Sequence, residues 1–362
     1  MRFPKMGWRL PLLGLAGLAL LTGLWAGLLR MGWAWPRIQP ALPMSHGPLM
    51  VSGFLGTLIL LERAVAIQKA WAYLGVALNG LGGVFVALGA PGPWGAGLMA
   101  LGSVVLVLIF LFILRQHLVL HTTVMASGAA CWLVGNAMRL FGAPVYQVVL
   151  WWAAFLVLTV AGERLELSRV TRLAASASRL FLLVCSILIG GLVFMQIIPD
   201  LGWRFFGLGL LALSAWLFRF DVAGKTMRTT GLPRFIAWCL LAGYAWLGAA
   251  GLAGTIYGPR FAGPYYDLFL HAIFLGFVTS MVFGHAPIIL PAILGYNLAY
   301  TPIFYLPLAL LHSSLLLRVI GDLVGVHSFR LWGGLAGASA ILLFLGLAVG
   351  AGITAGRRRA DR

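Results

Sequence analysis

Residues 44–65 read "MSHGPLMVSGFLGTLILLERAV". Residues 47–61 carry no charge, so the stretch reads as a helix crossing a bilayer, which takes about 20 apolar residues at about 1.5 Å each. A histidine, His46, stands at one end and the pair Glu62-Arg63 at the other. The rest of the chain makes this span one of many. Of 362 residues, 62% are hydrophobic and 9% charged, with mean hydropathy +1.00, whereas soluble domains carry about 25% charged residues. No polar stretch is long enough for a separate soluble domain, so residues 1–362 read as a single integral membrane domain.

Punctuation at proline, glycine and charge clusters predicts an all-α polytopic protein of about twelve transmembrane helices. The spans fall near 10–30, 46–63, 72–90, 94–114, 117–138, 145–162, 180–198, 203–218, 234–256, 266–287, 303–324 and 331–355. The first follows Arg2, Lys5 and Arg9 and runs to about Leu29, long enough to read as an uncleaved helix rather than a signal peptide. With twelve spans both termini share a side. Of the 25 Lys and Arg, seven (Arg30, Arg37, Arg139, Arg204, Arg260, Arg318 and Arg330) fall on the opposite side, leaving 18 with the termini. Basic residues gather in cytoplasmic loops. The net charge of +17 therefore reads as topology, with termini in the cytoplasm and the chain in the inner membrane, and no nucleic-acid partner is expected.

Trp33, Trp35, Trp94, Trp203, Tyr257, Tyr265 and Tyr266 fall at outer span ends and read as an interfacial belt. The spacings Gly53/Gly56, Gly243/Gly251 and Gly346/Gly350 predict close helix packing. Spans 2, 6 and 10 end "LLERAVAI", "AGERLELS" and "VFGHAPII", which hints at three pseudo-symmetric four-helix arcs. Cys131, Cys185 and Cys239 lie singly in apolar runs and read as buried hydrophobes.

The histidines sort by depth. His46 opens span 2, and His271 lies about one turn into span 10, both toward the outer side. His285 follows fourteen residues after His271, about 21 Å further along the axis, at the inner end. His117 and His121, at i and i+4, share a face of span 5 at its inner end, His312 is mid-span and reads either as a cofactor ligand or as a hydrogen-bonded core residue, and His327 falls in an outer loop. Two neutral imidazoles on separate helices suit a six-coordinate iron porphyrin, so His46 and His271 are the candidate heme ligands. Each also has a structural reading, as a histidine at a helix end or a hydrogen-bonded core residue. Asp267, one turn before His271, is placed to orient an imidazole. His117, His121, His285 and Glu62 form either a second metal or heme site or an interfacial set paired with Arg63, Arg115 and Glu163. Glu62-Arg63 and Glu163-Arg164 read as ion pairs between helices. Arg318 is spaced to pair with Asp322 at i and i+4, or to hold a heme propionate.

Twelve spans, inside termini and histidines in the outer halves of spans 2 and 10 resemble subunit I of heme–copper oxidases. That resemblance implies three four-helix arcs and a low-spin heme on His46 and His271, with "SHGPLM" similar to the span 2 ligand motif. Spans 6 and 7, which carry that family's copper ligands, hold no histidine here. A closer similarity is to NnrS-type membrane proteins, which contain heme and copper and are linked to nitric oxide stress. It is carried by "HGPLMVSGFLGT", "RFIAWCLLAGYAWLGAAGL", "LHAIFLGFVTSMVFGHAPI" and "ALLHSSLLLRVIG". The resemblance carries over His46, His271, His285 and Arg318. It implies heme, of b type, with copper as a second metal, although Pro48 and Leu49 stand where the motif has its second His and its Glu.

The leading expectation is a heme-binding membrane protein acting in nitric oxide or denitrification-related metabolism. Its expected partners are the bilayer, heme, nitric oxide or another diatomic gas, an unspecified electron donor, and a second copy in a homo-oligomer. Two alternatives stand beside it. One is a nitric oxide or oxygen reductase with a second, open metal site. The other is a heme-free secondary transporter, for which Pro287 and Pro291 near the end of span 10 are the best pointer.

Overall fold

The computed structural model describes residues 6–168, 173–294 and 300–360, excepting the side chains of residues 6, 294 and 353–360. Arg2, Lys5, Arg169, Arg172 and Arg362, five of the basic residues counted above, lie outside this set. The chain is an all-α polytopic membrane protein, with a helix at each of the twelve expected places. These are α1 (Leu10–Met31), α2 (Leu42–Ile67), α3 (Ala72–Leu88), α4 (Trp94–Gln116), α5 (Leu120–Leu140) and α6 (Val145–Ser168). Then follow α7 (Ala175–Phe194), α8 (Pro199–Phe220), α9 (Gly231–Tyr257), α10 (Pro264–Ile293), α11 (Tyr305–Val324) and α12 (His327–Ala360). Among the described residues ten are long and apolar enough to cross a membrane. The two that fall short are α3, with 17 residues, and α5, in which His121, Thr122, Asn136 and Arg139 dilute the hydropathy.

Local chemistry sets the helix ends. Pro11, Pro199 and Pro264 sit in first turns, where a missing N–H costs nothing. Gly32, Gly89 and Gly325 close α1, α3 and α11 in the left-handed region, at φ 112°, 68° and 74°.

The chain divides into two compact units. The first comprises Met1–Thr159 with Ile289–Tyr296, and the second Val160–Ile288 with Asn297–Arg362. In the first, α1 lies against α2 and α3, and α4 against α3 and α5. In the second, α8 lies between α7 and α9, and α11 against α12 and the start of α10. Glycine lets these backbones close in. A Cβ at Gly191 would stand 2.5 Å from the Phe206 nitrogen, and one at Gly251 2.4 Å from that of Leu211. A Cβ at Gly53 would reach 3.0 Å from that of Ala19, and one at Gly243 2.4 Å from Met281 Cε. At Gly346 and Gly350 a Cβ would meet nothing within 4 Å among the described residues.

Two helices are not regular. In α2 a 3₁₀ turn (Leu42–Ser45) and one α turn (His46–Pro48) lead into a π-helical segment, Leu49–Gly56. In α10 the α turn ending at His271 leads into a second, Ala272–Thr279. Pro48 supplies a cause in α2, since it cannot donate the hydrogen bond an α turn requires. In α10 the Thr279 hydroxyl bonds the Phe274 carbonyl five residues back, at 2.9 Å, which matches the π spacing. A buried or half-buried indole lies against a glycine of each segment. A Cβ at Gly56 would fall 2.3 Å from Trp132, and one at Gly276 2.4 Å from Trp246.

The three cysteines are buried and free. Trp94 is exposed, as a belt residue should be, but Trp203 is 1% exposed and packs against Phe261 and Phe269. It belongs to the core of the second unit and not to the belt.

Candidate functional site

His46 and His271 each precede a π-helical segment, His46 by three residues and His271 directly. They lie in different units. His46 is half-buried, and its Nδ1 donates to the Gly23 carbonyl of α1 at 2.7 Å. The ring can approach because residue 27 is glycine, where a Cβ would stand 2.7 Å from Nδ1. A carbonyl only accepts, so Nδ1 carries a proton, and in the neutral ring the lone pair is on Nε2. His271 repeats this chemistry, with Nδ1 donating to the Asp267 carbonyl one turn back at 2.9 Å. Ligating histidines characteristically donate their other ring N–H to a carbonyl or carboxylate. The donor chemistry of both residues therefore fits an iron-ligating imidazole.

Around His271 stands a cluster of charge. The Asp267 carboxylate lies 3.3 Å from His271 Nδ1 and accepts two hydrogen bonds from Arg318, at 2.7 and 2.8 Å. Arg330 of α12 lies 3.9 Å from Asp267 and 3.5 Å from Asp322. Asp322 is 1% exposed in its side chain, and neither carboxyl oxygen accepts a hydrogen bond among the described residues. Two carboxyl groups thus face two guanidiniums. The expected Arg318–Asp322 pair does not form. Both residues are on α11, and Arg318 instead reaches α10, where the forked geometry of Asp267 satisfies guanidinium on two atoms. Arg318 is thereby already committed, which weighs against its holding a propionate.

The remaining histidines separate. His285 Nδ1 donates to the Met281 carbonyl at 2.7 Å. His312 has both ring nitrogens engaged. Nδ1 accepts from Trp246 Nε1 at 3.1 Å, and Nε2 faces the Ser280 hydroxyl at 3.4 Å, which itself donates to the Cys239 carbonyl. His117 and His121 do not share a helix face. His117 is exposed and extended (φ −145°, ψ 104°) because its N–H closes α4 on Ile113, and α5 begins only at Leu120. His121 is buried in the first turn of α5, and His327 is exposed at the start of α12. Among the described residues no group of three or more His, Cys, Asp or Glu could hold a metal ion.

Arg63 lies 3.2 Å from its neighbour Glu62 within α2. Arg164 bridges helices, to Asp221 at the end of α8, at 2.8 and 3.1 Å, with the two side chains 3% and 1% exposed. Sequence reasoning missed Asp221, although a lone aspartate ending an apolar span was a visible signal. It also missed a buried polar network in the first unit. Ser52 Oγ donates to Asn136 Oδ1 at 2.9 Å and accepts from Trp132 Nε1 at 3.0 Å. Asn79 Nδ2 donates to the Ser52 carbonyl at 2.6 Å and to Thr57 Oγ1 at 2.8 Å, and Trp152 Nε1 donates to Asn136 Oδ1 at 3.0 Å.

Residues 9–353 match a family described as "Domain of unknown function (DUF8744)". No curated protein and no solved structure matches the chain.

Proposed function

Because the chain belongs to the DUF8744 family, whose description assigns no activity, we propose a function from its own residues: a heme-binding integral membrane protein in which His46 and His271 supply imidazoles to iron. One observation carries the reading. Both histidines sit at the mouth of a π-helical segment, and both are held by a backbone carbonyl in the tautomer with its lone pair on Nε2. Single π turns are rare and gather at functional sites. The sequence resemblance to NnrS-type proteins supplies the context, nitric oxide or respiratory-nitrogen metabolism.

Bound heme would supply an iron that passes an electron. The protein's contribution is orientation. Gly23 and Asp267 fix the two rings by their carbonyls, Gly27 gives His46 its room, and the Asp267–Arg318 fork braces the turn that carries His271. Protein purified in detergent from heme-supplied cells is expected to show a Soret band and a b-type pyridine hemochrome. His46→Ala and His271→Ala should each abolish or shift that band. Heme-free wild-type protein under the same supply sinks the proposal.

We propose further that both termini face the cytoplasm of an inner membrane, because 18 of 25 basic residues fall on the side shared by the termini. A phosphatase fused after Arg362 is expected to be inactive and a fluorescent protein there bright. The reverse pattern overturns the orientation.

A further inference from the structure

The heme reading leaves the polar network of the first unit without a task, although its members are among the most deeply buried polar side chains of the chain. Ser52, Thr57 and Asn79 are 0% exposed, Trp132 0% and Asn136 2%. Polar side chains between membrane helices add little stability on average, so their placement calls for a more specific role. The bonds by which this network reaches α2 fall on the π-helical segment or on Thr57, which follows it. Asn79 of α3 takes the Ser52 carbonyl and the Thr57 hydroxyl, and Trp132 and Asn136 of α5 take the Ser52 hydroxyl. Trp132 is in addition seated on Gly56, where any Cβ would overlap it, and is stacked on Phe155 at 4.8 Å.

A π-helical segment holds one residue more than an α-helix over the same path and persists only where its surroundings favour it. Its relaxation to α would turn the preceding residues by about 100° and slide them about 1.5 Å. His46 is three residues before the segment, so it would leave both the Gly23 carbonyl and the space over Gly27. We propose that Asn79, with Ser52, Trp132 and Asn136, is a positioning cluster that locks the π register of α2 and thereby aims His46. This deepens the proposed function and rests on His46 being a ligand. Asn79 is the central member, because it reaches in from α3 to bond both a main-chain carbonyl of the segment and the Thr57 hydroxyl that itself bonds the Gly53 carbonyl.

The register can be read without heme. Cysteines replacing Gly27 and His46 face each other in the π register, so the Gly27→Cys/His46→Cys protein is expected to form a disulfide under mild oxidation. Adding Asn79→Leu should lower its yield about fivefold and raise that of the Gly27→Cys/Gly47→Cys pair, because a disulfide tolerates only about 4.4–6.8 Å between Cα atoms. In the protein with His46 intact, Asn79→Leu should shift the low-spin heme signal in electron paramagnetic resonance while the amount of folded protein is unchanged. Should Asn79→Leu fail to accumulate, Ser52→Ala, which keeps the carbonyl but removes the hydroxyl, is expected to give the same changes to a smaller degree. No 27–46 disulfide in the parent, or an equal yield with and without the network substitution, overturns the positioning role. Absence of heme overturns the proposed function instead, and the disulfides still decide the register.

Discussion

Asp221→Leu is expected to destabilise the second unit by about 3–5 kcal/mol, the usual cost of stranding one member of a buried ion pair. Arg164 would keep its charge with 3% of its side chain exposed and the carboxylate it bonds removed. The same substitution removes the acceptor for the Ala223 backbone N–H, which now bonds Asp221 Oδ1 at 2.7 Å. The double variant Arg164→Met/Asp221→Leu should recover most of the loss, because replacing both charges by apolar groups leaves nothing stranded. Unfolding in detergent, followed by circular dichroism, measures both. A single variant within about 1 kcal/mol of the parent would show the pair to be dispensable.

Asp267→Ala is expected to cost a similar amount, about 3–5 kcal/mol, for a different arrangement of charge. Arg318 would lose both of its hydrogen bonds to Asp267, and Arg330 the more distant of its two carboxylates. The effect on His271 should be small by comparison. Its Nδ1 donates to the main-chain carbonyl of residue 267, which alanine retains. The expected result is therefore a split: a large drop in stability with a Soret band near its parental position. A Soret band lost in protein that is still folded would mean that the carboxylate, 3.3 Å away, is what holds the imidazole.

The helices were legible because length and hydropathy are properties of single segments. All twelve expected positions carry helices, and the ends follow the prolines and glycines. The partners of charged residues were not legible. Arg318 has Asp322 one turn away in sequence, yet it bonds Asp267, 51 residues distant, because side-chain direction and the neighbouring helix decide the matter. Glu163 likewise adjoins Arg164 in sequence, but the arginine reaches Asp221. His46 and His271 stood out as imidazoles in apolar runs. Their π-helical neighbours did not, since one extra residue over two turns barely alters an apolar pattern. The 117–121 spacing misled for a local reason: the break between α4 and α5 falls inside it, and i,i+4 describes a face only within one helix.

The buried Arg164–Asp221 pair also constrains biosynthesis. Arg164 emerges from the ribosome 57 residues before its partner, an interval of roughly 3–11 s at about 5–20 residues per second. Throughout that time its charge has no permanent counterion, and α7 and α8 must be made before one arrives. The glycine-packed α7–α8 hairpin thus delivers Asp221 as the closing step of a segment that starts at the end of α6. Slowing translation between residues 168 and 221 prolongs the wait of Arg164 for Asp221.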